Sequence, residues 1–346
     1  MIDFGAVGQS FDLLFSNFGP WLVVVPGIVL GLIFGATPGL QISMAMAIFL
    51  PMTMYMDFIQ AMLFLTAIFT GGSFGAGIPA ILMNIPGTSS AIATAFDGYP
   101  MARKGQHNQA LGVALASSVI GALMGYVVLF FMIQPLSYMV LRLGPAEMFV
   151  VILWGMTLIA SLKGEQVLKG LIAGFVGLLV GTIGFSEIGL ARGTMGQTYL
   201  LDGVPVIPAM MGMFAASELF KLANKGFIVE SADARKVKVS EIFEGCRMAM
   251  RYPVVMIRGG LIGVLVGAVP GVGSSVSNLL SYIETKRRDR DPDSFGKGNP
   301  KGVVASEAAN SSSEGGSMAT LLALGIPGGG ATAVMLAAFA MHNITG

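Results

Sequence analysis

The stretch GLIFGATPG at residues 31–39 recurs as GVLVGAVPG at residues 263–271, with both glycines and the Pro-Gly pair at an offset of 232. A second pair of matching stretches, Ile85-Pro86-Gly87 and Ile326-Pro327-Gly328, follows in the same order at an offset of 241. The nine residues by which the offsets differ fit into the charged segment 284–301. Because chance rarely produces two matches in register, the sequence predicts an internal duplication.

The duplicated stretches lie in sequence that is too apolar for a soluble domain. Apolar residues make up 54% of the chain and charged residues 11%, against about 25% charged in ordinary soluble proteins. Residues 13–56, 58–96, 259–283 and 315–346 contain no Asp, Glu, Lys or Arg. A helix crosses a bilayer with about 20 apolar residues, and segments such as 171–181 are apolar on every face, which excludes barrel strands. The prediction is an all-α, polytopic integral membrane protein with two repeats and Pro-Gly-interrupted helices.

We predict a first transmembrane repeat at residues 1–224, a polar connector at 225–252 and a second, truncated repeat at 253–346. Parallel and inverted arrangements of the repeats both remain open. Basic residues at 225–251 and 284–301 make these segments candidates for the cytoplasmic side, although their acidic residues also fit solvated linkers on either side. Apolar segments are predicted at residues 20–36, 40–50, 58–70, 78–83, 111–132, 147–160, 167–183, 204–222, 254–269, 272–282 and from 318 onward.

The four Pro-Gly breaks expose backbone groups that need partners. Proline removes a backbone donor and glycine permits irregular dihedrals, so such backbone persists at membrane depth only inside protein or beside a wet cavity. Small polar residues follow the breaks, and each break could begin a helix, whose N-terminal N–H groups favour a carboxylate. We therefore predict an anionic substrate held between the repeats. The alternative is that the breaks are helix caps and tight contacts in a structural bundle.

Polar residues within the apolar sequence mark a second candidate feature. Asn84 precedes one break, and Glu307, Asn310, Ser311 and Glu314 share one helical face at spacings i, i+3, i+4 and i+7. This face could line an aqueous path or bind a coupling cation, Na⁺ or H⁺. It could equally be the wet entrance of a helix that follows the charged loop.

Catalytic and nucleic-acid-binding functions are not supported by the sequence. His107 and His342 have no metal-ligand partner at helical spacing, and Cys246 has no neighbouring histidine. Asp97 and Asp202 both precede glycine in predicted turns. The net charge of +1 gives no sign of nucleic-acid binding. We predict no enzyme activity, no resident metal and no cofactor.

With these motifs the chain resembles the large permease subunit of the tripartite tricarboxylate transporters, the TctA-type family. The resemblance covers the glycine and Pro-Gly motifs at 31–39 and 263–271 and the run 71–88. It also covers Asp97-Gly98-Tyr99-Pro100-Met101-Ala102 with Gly105, Glu307 with Asn310, Gly315-Gly316 and 324–328.

The resemblance implies a secondary carrier for di- or tricarboxylates such as citrate in the bacterial inner membrane, powered by a cation gradient. It also implies two partners, a small membrane subunit of the four-helix type and a periplasmic substrate-binding protein. Glu307 and Glu314 are the coupling-ion candidates. The predicted substrate site comprises Pro38, Gly39, Gln41, Asn84, Pro86, Gly87, Thr88, Ser89, Pro270, Gly271, Gly273, Ser274, Ser275, Asn310, Pro327, Gly328 and Gly329.

The chain departs from the family pattern in two ways. By comparison with the family we expect it to stop within the second repeat, immediately after the helix that follows Pro327-Gly328. It also carries Glu314 where a small residue is expected and Gln41 where glycine is common. Both substitutions bear on substrate or ion preference.

The rival hypothesis is a membrane scaffold or assembly subunit that binds no substrate.

Overall fold

The computed structural model describes residues 4–15, 18–140, 146, 150, 153, 167–185, 190–201, 203–204, 238–269 and 273–344. Nearly all of this part is helical, which confirms the all-α prediction. Its strand structure is one two-residue antiparallel pairing of β1 (Gly184–Phe185) with β2 (Ala191–Arg192). The apolar composition of the chain thus folds into helices that satisfy their own backbone hydrogen bonds.

The α-helices of the described residues have the following bounds, numbered in chain order. They are α1 Phe4–Phe15, α2 Gly19–Leu22, α3 Val24–Ala36, α4 Ile42–Phe49, α5 Phe58–Gly75, α6 Gly77–Met83, α7 Ile92–Arg103, α8 His107–Val140, α9 Val167–Gly181, α10 Val239–Ala249, α11 Pro253–Gly267, α12 Gly273–Arg288, α13 Pro300–Leu324 and α14 Gly330–Met341. Short 3₁₀ turns occur at Leu50–Tyr55, Ser89–Ala91, Thr198–Leu200 and Pro292–Ser294.

Several helices are long and apolar enough to cross a membrane. In the described part, Gly19–Ala36, Phe58–Met83 and His107–Pro135 meet this condition, and α10 with α11 forms a fourth candidate that bends by 81°. Shorter apolar helices lie at Ile42–Tyr55, Leu171–Gly181 and Gly330–Met341. The chain is therefore a multi-pass membrane protein, as predicted.

Some predicted segments differ from the observed helices. The segments predicted at 58–70 and 78–83 form one continuous span, because α5 and α6 are separated by Ala76 alone. The segment predicted from 318 onward begins much earlier, at Pro300, because small residues extend the helix beyond the apolar run. The segments predicted at 147–160 and 204–222 lie almost wholly outside the described residues, as does the connector before residue 238.

The glycines of the duplicated motif perform the same packing function in both halves. A side chain at Gly31 would overlap the carbonyl oxygen of Ile68 on α5, and one at Gly263 would overlap that of Ala309 on α13. Ile68 and Ala309 are themselves related by the offset of 241. Helix α3 thus packs on α5 as α11 packs on α13, which supports the two-repeat interpretation. The predicted repeat boundaries remain predictions.

The two Ile-Pro-Gly loops also match in conformation. Each follows a left-handed residue that ends a helix, Asn84 with φ 58° after α6 and Gly325 with φ 65° after α13. Gly87 then packs on Ala76 and Gly328 on Ser317, at equivalent positions one offset apart. Each loop therefore folds back onto the helix that precedes it, and a new helical segment begins beside that helix.

The packing of the glycine motif gives a direct test of the helix interface. Gly31→Val and Gly263→Val should each lower the free energy of unfolding by about 1–3 kcal/mol, because the added methyl groups have no space beside the facing carbonyls. The measurement is thermal unfolding of the detergent-purified protein. Gly177→Val on α9 is the matched control, since a Cβ there meets no described atom within 4 Å. Equal melting temperatures for all three variants would contradict this packing.

Candidate functional site

A cavity of about 240 Å³ lies where four helical segments begin. Gln41 precedes α4, Thr88 precedes the 3₁₀ turn at Ser89–Ala91, Ser274 lies in the first turn of α12, and Gly329 precedes α14. The complete lining is Gln41, Ile42, Ser43, Phe69, Thr88, Ser89, Ser90, Ser274, Ser275, Ser313, Ser317, Gly329, Gly330, Ala331 and Thr332. Each of the four predicted breaks thus contributes residues to one cavity.

The cavity is built across the two repeats. Helix α4 of the first half contacts α14 of the second, and α12 of the second half contacts α7 and the 3₁₀ turn of the first. The hydroxyls of Ser89 and Ser275 form a hydrogen bond of 2.6 Å between the halves. Movement of one repeat against the other would therefore act directly on this cavity.

The polar groups of the cavity are hydroxyls and helix N-termini. The described lining contains no charged side chain. Thr88 Oγ1 and Ser90 Oγ are 2.7 Å apart, and in this pair, as in the Ser89–Ser275 pair, one hydroxyl donates to the other. The second hydroxyl of each pair keeps a proton that it can donate to a ligand. Together with the N–H groups of the surrounding helix starts, these donors suit a small anion.

Not every predicted site residue reaches the cavity. Gln41, Thr88, Ser89, Ser274, Ser275 and Gly329 line it. Gly273 begins α12 beside it, whereas Pro270 and Gly271 lie outside the described residues. Pro38, Gly39, Pro86, Gly87, Pro327 and Gly328 shape the loops and are not in the lining. Asn84, at the exposed end of α6, and Asn310, buried on α13, also lie outside it.

Sequence reasoning missed the wall of the cavity that lies between the helix starts. Ser313 and Ser317 of α13 and Phe69 of α5 form part of this wall. The two serines stand four residues apart and so face the same side of the helix, next to the predicted Glu314. This spacing is visible in the sequence, whereas the position of Phe69 follows only from the crossing of α5 and α13.

Helix α13 carries the predicted polar face through the interior of the protein. Glu307 and Asn310 are 0% exposed, and Glu314 is 1% exposed. The interpretation of this face as the wet entrance of a helix is therefore wrong, because neighbouring helices cover it on all sides. In the described part of the chain, neither carboxylate forms an ion pair. Their hydrogen-bond donors are hydroxyls, together with the Asn310 side chain at Glu307.

The two carboxylates differ in how fully they are hydrogen-bonded. Both oxygens of Glu307 accept hydroxyl protons, from Thr94 at 2.6 Å and from Ser118 at 2.7 Å. Glu314 accepts through Oε2 alone, from Thr70 at 2.8 Å and from Tyr126 at 3.3 Å. Its Oε1 is buried without a hydrogen-bond partner. Glu307 therefore joins helices, whereas Glu314 retains an unused acceptor.

Asp97 lies in a helix, so the predicted Asp-Gly turn at this position is wrong. It is part of α7, where Gly98 packs closely on Ile81, and tertiary contacts override the turn preference of the pair. Its Oδ1 accepts hydrogen bonds of 2.8–2.9 Å from the backbone N–H groups of Gly296, Gly298 and Asn299. Its Oδ2 accepts a hydrogen bond from the Tyr282 hydroxyl at 2.9 Å. Asp97 of the first repeat thus holds the loop 289–299, which connects α12 and α13 of the second repeat, in place. Asp202 lies outside the described residues.

An ion pair joins the two ends of the same loop, where Lys301 Nζ and Asp289 Oδ2 are 2.6 Å apart. Partial burial raises the pKa of the Asp289 carboxyl, but the hydrogen bond and charge of Lys301 offset this effect. The pKa of Asp289 therefore lies below its usual value.

The described residues define a polytopic helical membrane protein with a polar cavity between related halves. The sequence profile of the tripartite tricarboxylate transporter TctA family matches residues 21–346. The chain belongs to this family.

The chain is also similar in sequence to two proteins from Agrobacterium vitis. The chain is 33% identical to an uncharacterized 52.8 kDa protein in the TAR-I ttuC' 3' region, over 92% of this chain and 63% of the relative. It is 36% identical to an uncharacterized protein in the TAR-II ttuC' 3' region, over 24% of this chain and 34% of the relative. The chain thus spans less than two thirds of the length of either relative. No solved structure matches it.

The contacts of Asp97 predict a strongly destabilised variant. Asp97→Ala should lower the free energy of unfolding by more than about 2 kcal/mol, because it leaves the loop N–H groups and the Tyr282 hydroxyl without their charged acceptor. Thermal unfolding in detergent measures this loss. Asp293→Ala in the exposed part of the same loop is the control and should change the melting temperature little. If both variants melted alike, Asp97 would not be the anchor of the loop.

Proposed function

We propose that this chain is the large membrane permease subunit of a tripartite carboxylate uptake system, a carrier rather than an enzyme. The observation that carries this proposal is the cavity at which four helix starts from both repeats converge. Helix starts and hydroxyls together recognise carboxylates without a basic side chain, and interrupted helices at the repeat interface are the usual location of a transporter site. Family membership supports the same function.

The substrate class is a di- or tricarboxylate, of which citrate is one candidate. A cavity of about 240 Å³ lies just below the range of about 300–1,000 Å³ for small-molecule pockets, so a compact anion suits it better than a bulky one. Hydroxyl donors on both sides of the repeat interface can bind separate carboxylate groups of one substrate. Transport is then coupled to a cation gradient, with Na⁺ or H⁺ as the driving ion.

We extend the proposal to the location and partners that the resemblance to the family implies. The protein would act in the bacterial inner membrane with a small membrane subunit of the four-helix type and a periplasmic substrate-binding protein that delivers the carboxylate. Its two transmembrane repeats would comprise residues 1–224 and 253–346, joined by the connector at 225–252.

Ligand-dependent thermal stability tests this function. A carboxylate that binds only the folded protein should stabilise it by about 2.7 kcal/mol at a hundredfold excess over Kd. Ser89→Ala and Ser275→Ala should each raise that Kd about tenfold or more, because each removes a hydroxyl available to a charged ligand. Ser281→Ala is the matched control, since this α12 hydroxyl donates to Ala305 and lies outside the cavity.

The outcomes separate the carrier from its rival. Stabilisation by one carboxylate, weakened in the two cavity variants and retained in Ser281→Ala, would support the carrier. If no di- or tricarboxylate stabilised the folded protein, the result would contradict the carrier and favour a scaffold subunit that binds no substrate.

A further inference from the structure

Two polar oxygens on α13 are buried without hydrogen-bond partners at neighbouring positions. They are Glu314 Oε1 and Asn310 Oδ1. Because the residues are four apart in a helix, their side chains lie on the same face, one turn from each other. A buried acceptor without a donor is destabilising, and an unpaired carboxylate is more so. Two such oxygens on one helical face indicate a positively charged ligand.

The surrounding groups point in the same direction. Helix α5 provides Thr70, whose hydroxyl donates to Glu314 Oε2, and Ser73, whose carbonyl oxygen accepts from Asn310 Nδ2 at 3.1 Å. The Ser73 side chain also neighbours the Glu314 carboxylate. Helix α8 contributes the Tyr126 hydroxyl. The donated hydrogen bonds occupy Oε2 of Glu314 and Nδ2 of Asn310, so each side chain keeps one oxygen for another ligand. The groups come from three helices and from both repeats.

The oxygens of Glu314, Asn310 and the Ser73 carbonyl form a polar cluster. Its charge and chemistry favour a monovalent cation. Its oxygens are a carboxylate, an amide and a backbone carbonyl, which suit a hard cation that forms no bond to sulfur or imidazole. One carboxylate balances one positive charge, whereas a divalent ion would leave an uncompensated charge in the protein interior. In the described part of the chain, no group of three or more His, Cys, Asp or Glu side chains is placed to hold a metal ion.

The cluster lies next to the substrate cavity. Ser313 precedes Glu314 in the sequence and Phe69 precedes Thr70, and both Ser313 and Phe69 line the cavity. A cation held at Glu314 would order α5 and α13 at their crossing. These are the helices that form the wall between the four helix starts, so occupation of one site would affect the geometry of the other.

We propose that Glu314 Oε1 and Asn310 Oδ1 bind a sodium ion at the crossing of α5, α8 and α13, beside the cavity, and that Glu307 does not. Glu307 is not assigned to the site, because each of its oxygens accepts a hydroxyl hydrogen bond and neither is left without a partner. The inference rests on the proposed function for the role of the ion as the coupling ion. Binding of the ion itself requires no carboxylate substrate.

A sodium titration of the purified full chain without carboxylate tests this site. Replacing choline chloride by sodium chloride at constant ionic strength should raise the melting temperature along a saturable curve. Glu314→Gln should weaken the apparent sodium affinity about tenfold or more, because it removes the charge that balances the ion. Glu307→Gln is the discriminating variant: it removes the other buried carboxylate of α13 but keeps a hydrogen-bonding side chain beside Asn310, and it should retain the sodium affinity of the unaltered protein. Thr70→Val, which keeps the carboxylate but removes a hydrogen bond that orients it, should weaken the affinity about tenfold.

The outcomes are decisive in each direction. No sodium-specific shift in folded protein, a shift of equal size with potassium, or a shift produced by lowering the pH alone would overturn the proposal. Unchanged sodium affinity in Glu314→Gln would do the same, and if that variant does not fold, unchanged affinity in Thr70→Val decides instead. If sodium stabilises the protein through Glu314 while no carboxylate binds, the proposed function fails and the sodium site stands.

Discussion

The close approach of glycine-bearing helices to facing backbone carbonyls is the contact on which the rest of this structure depends. Gly31 and Gly35 allow α3 to lie on α5, and Gly263 and Gly267 allow α11 to lie on α13, with the same spacing in both halves. Helices in lipid gain little from the hydrophobic effect and associate through such close packing. Two of the four Pro-Gly breaks, at 38–39 and 270–271, follow these contacts in the sequence, so the contacts hold in place the helix ends that precede those breaks.

The polar side chains of α13 lie in the interior of the protein and link its two halves. Helix α13 is buried along most of its length although it contains two glutamates, an asparagine and several serines. The hydroxyl donors that satisfy its side chains come from α5, α7 and α8, so the polar groups of α13 link the two repeats. Two oxygens of α13, Asn310 Oδ1 and Glu314 Oε1, have no hydrogen-bond partner, and they lie close to Ser313 in the cavity wall. On the two proposals above, the interface between the repeats binds an anion in the cavity and a cation beside it.

Much of this arrangement could be predicted from the sequence, since it depends on local signals. Charge-free runs indicated the helices, and the repeated glycine and Pro-Gly motifs indicated corresponding breaks. Contacts distant in sequence could not be predicted in the same way. Asp97 was interpreted as a turn residue because its partners lie about 200 positions away. Phe69 and Ser317 join the cavity only because α5 and α13 cross. The burial of Glu307 depends on α7 and α8, whose positions sequence periodicity does not predict.

The central claim is that substrate binds between the repeats at the converging helix starts, and protection from thiol labelling tests it most directly. Cys246 is the only cysteine in the sequence, so Cys246→Ala gives a background in which Ser89→Cys and Ser275→Cys introduce one thiol each. Tyr55→Cys serves as the control, since this residue is 94% exposed and outside the cavity. The account predicts that a bound di- or tricarboxylate slows labelling at positions 89 and 275 and leaves position 55 unchanged. Unchanged labelling at both cavity positions, with carboxylate binding demonstrated by calorimetry, would place the substrate elsewhere and contradict the account.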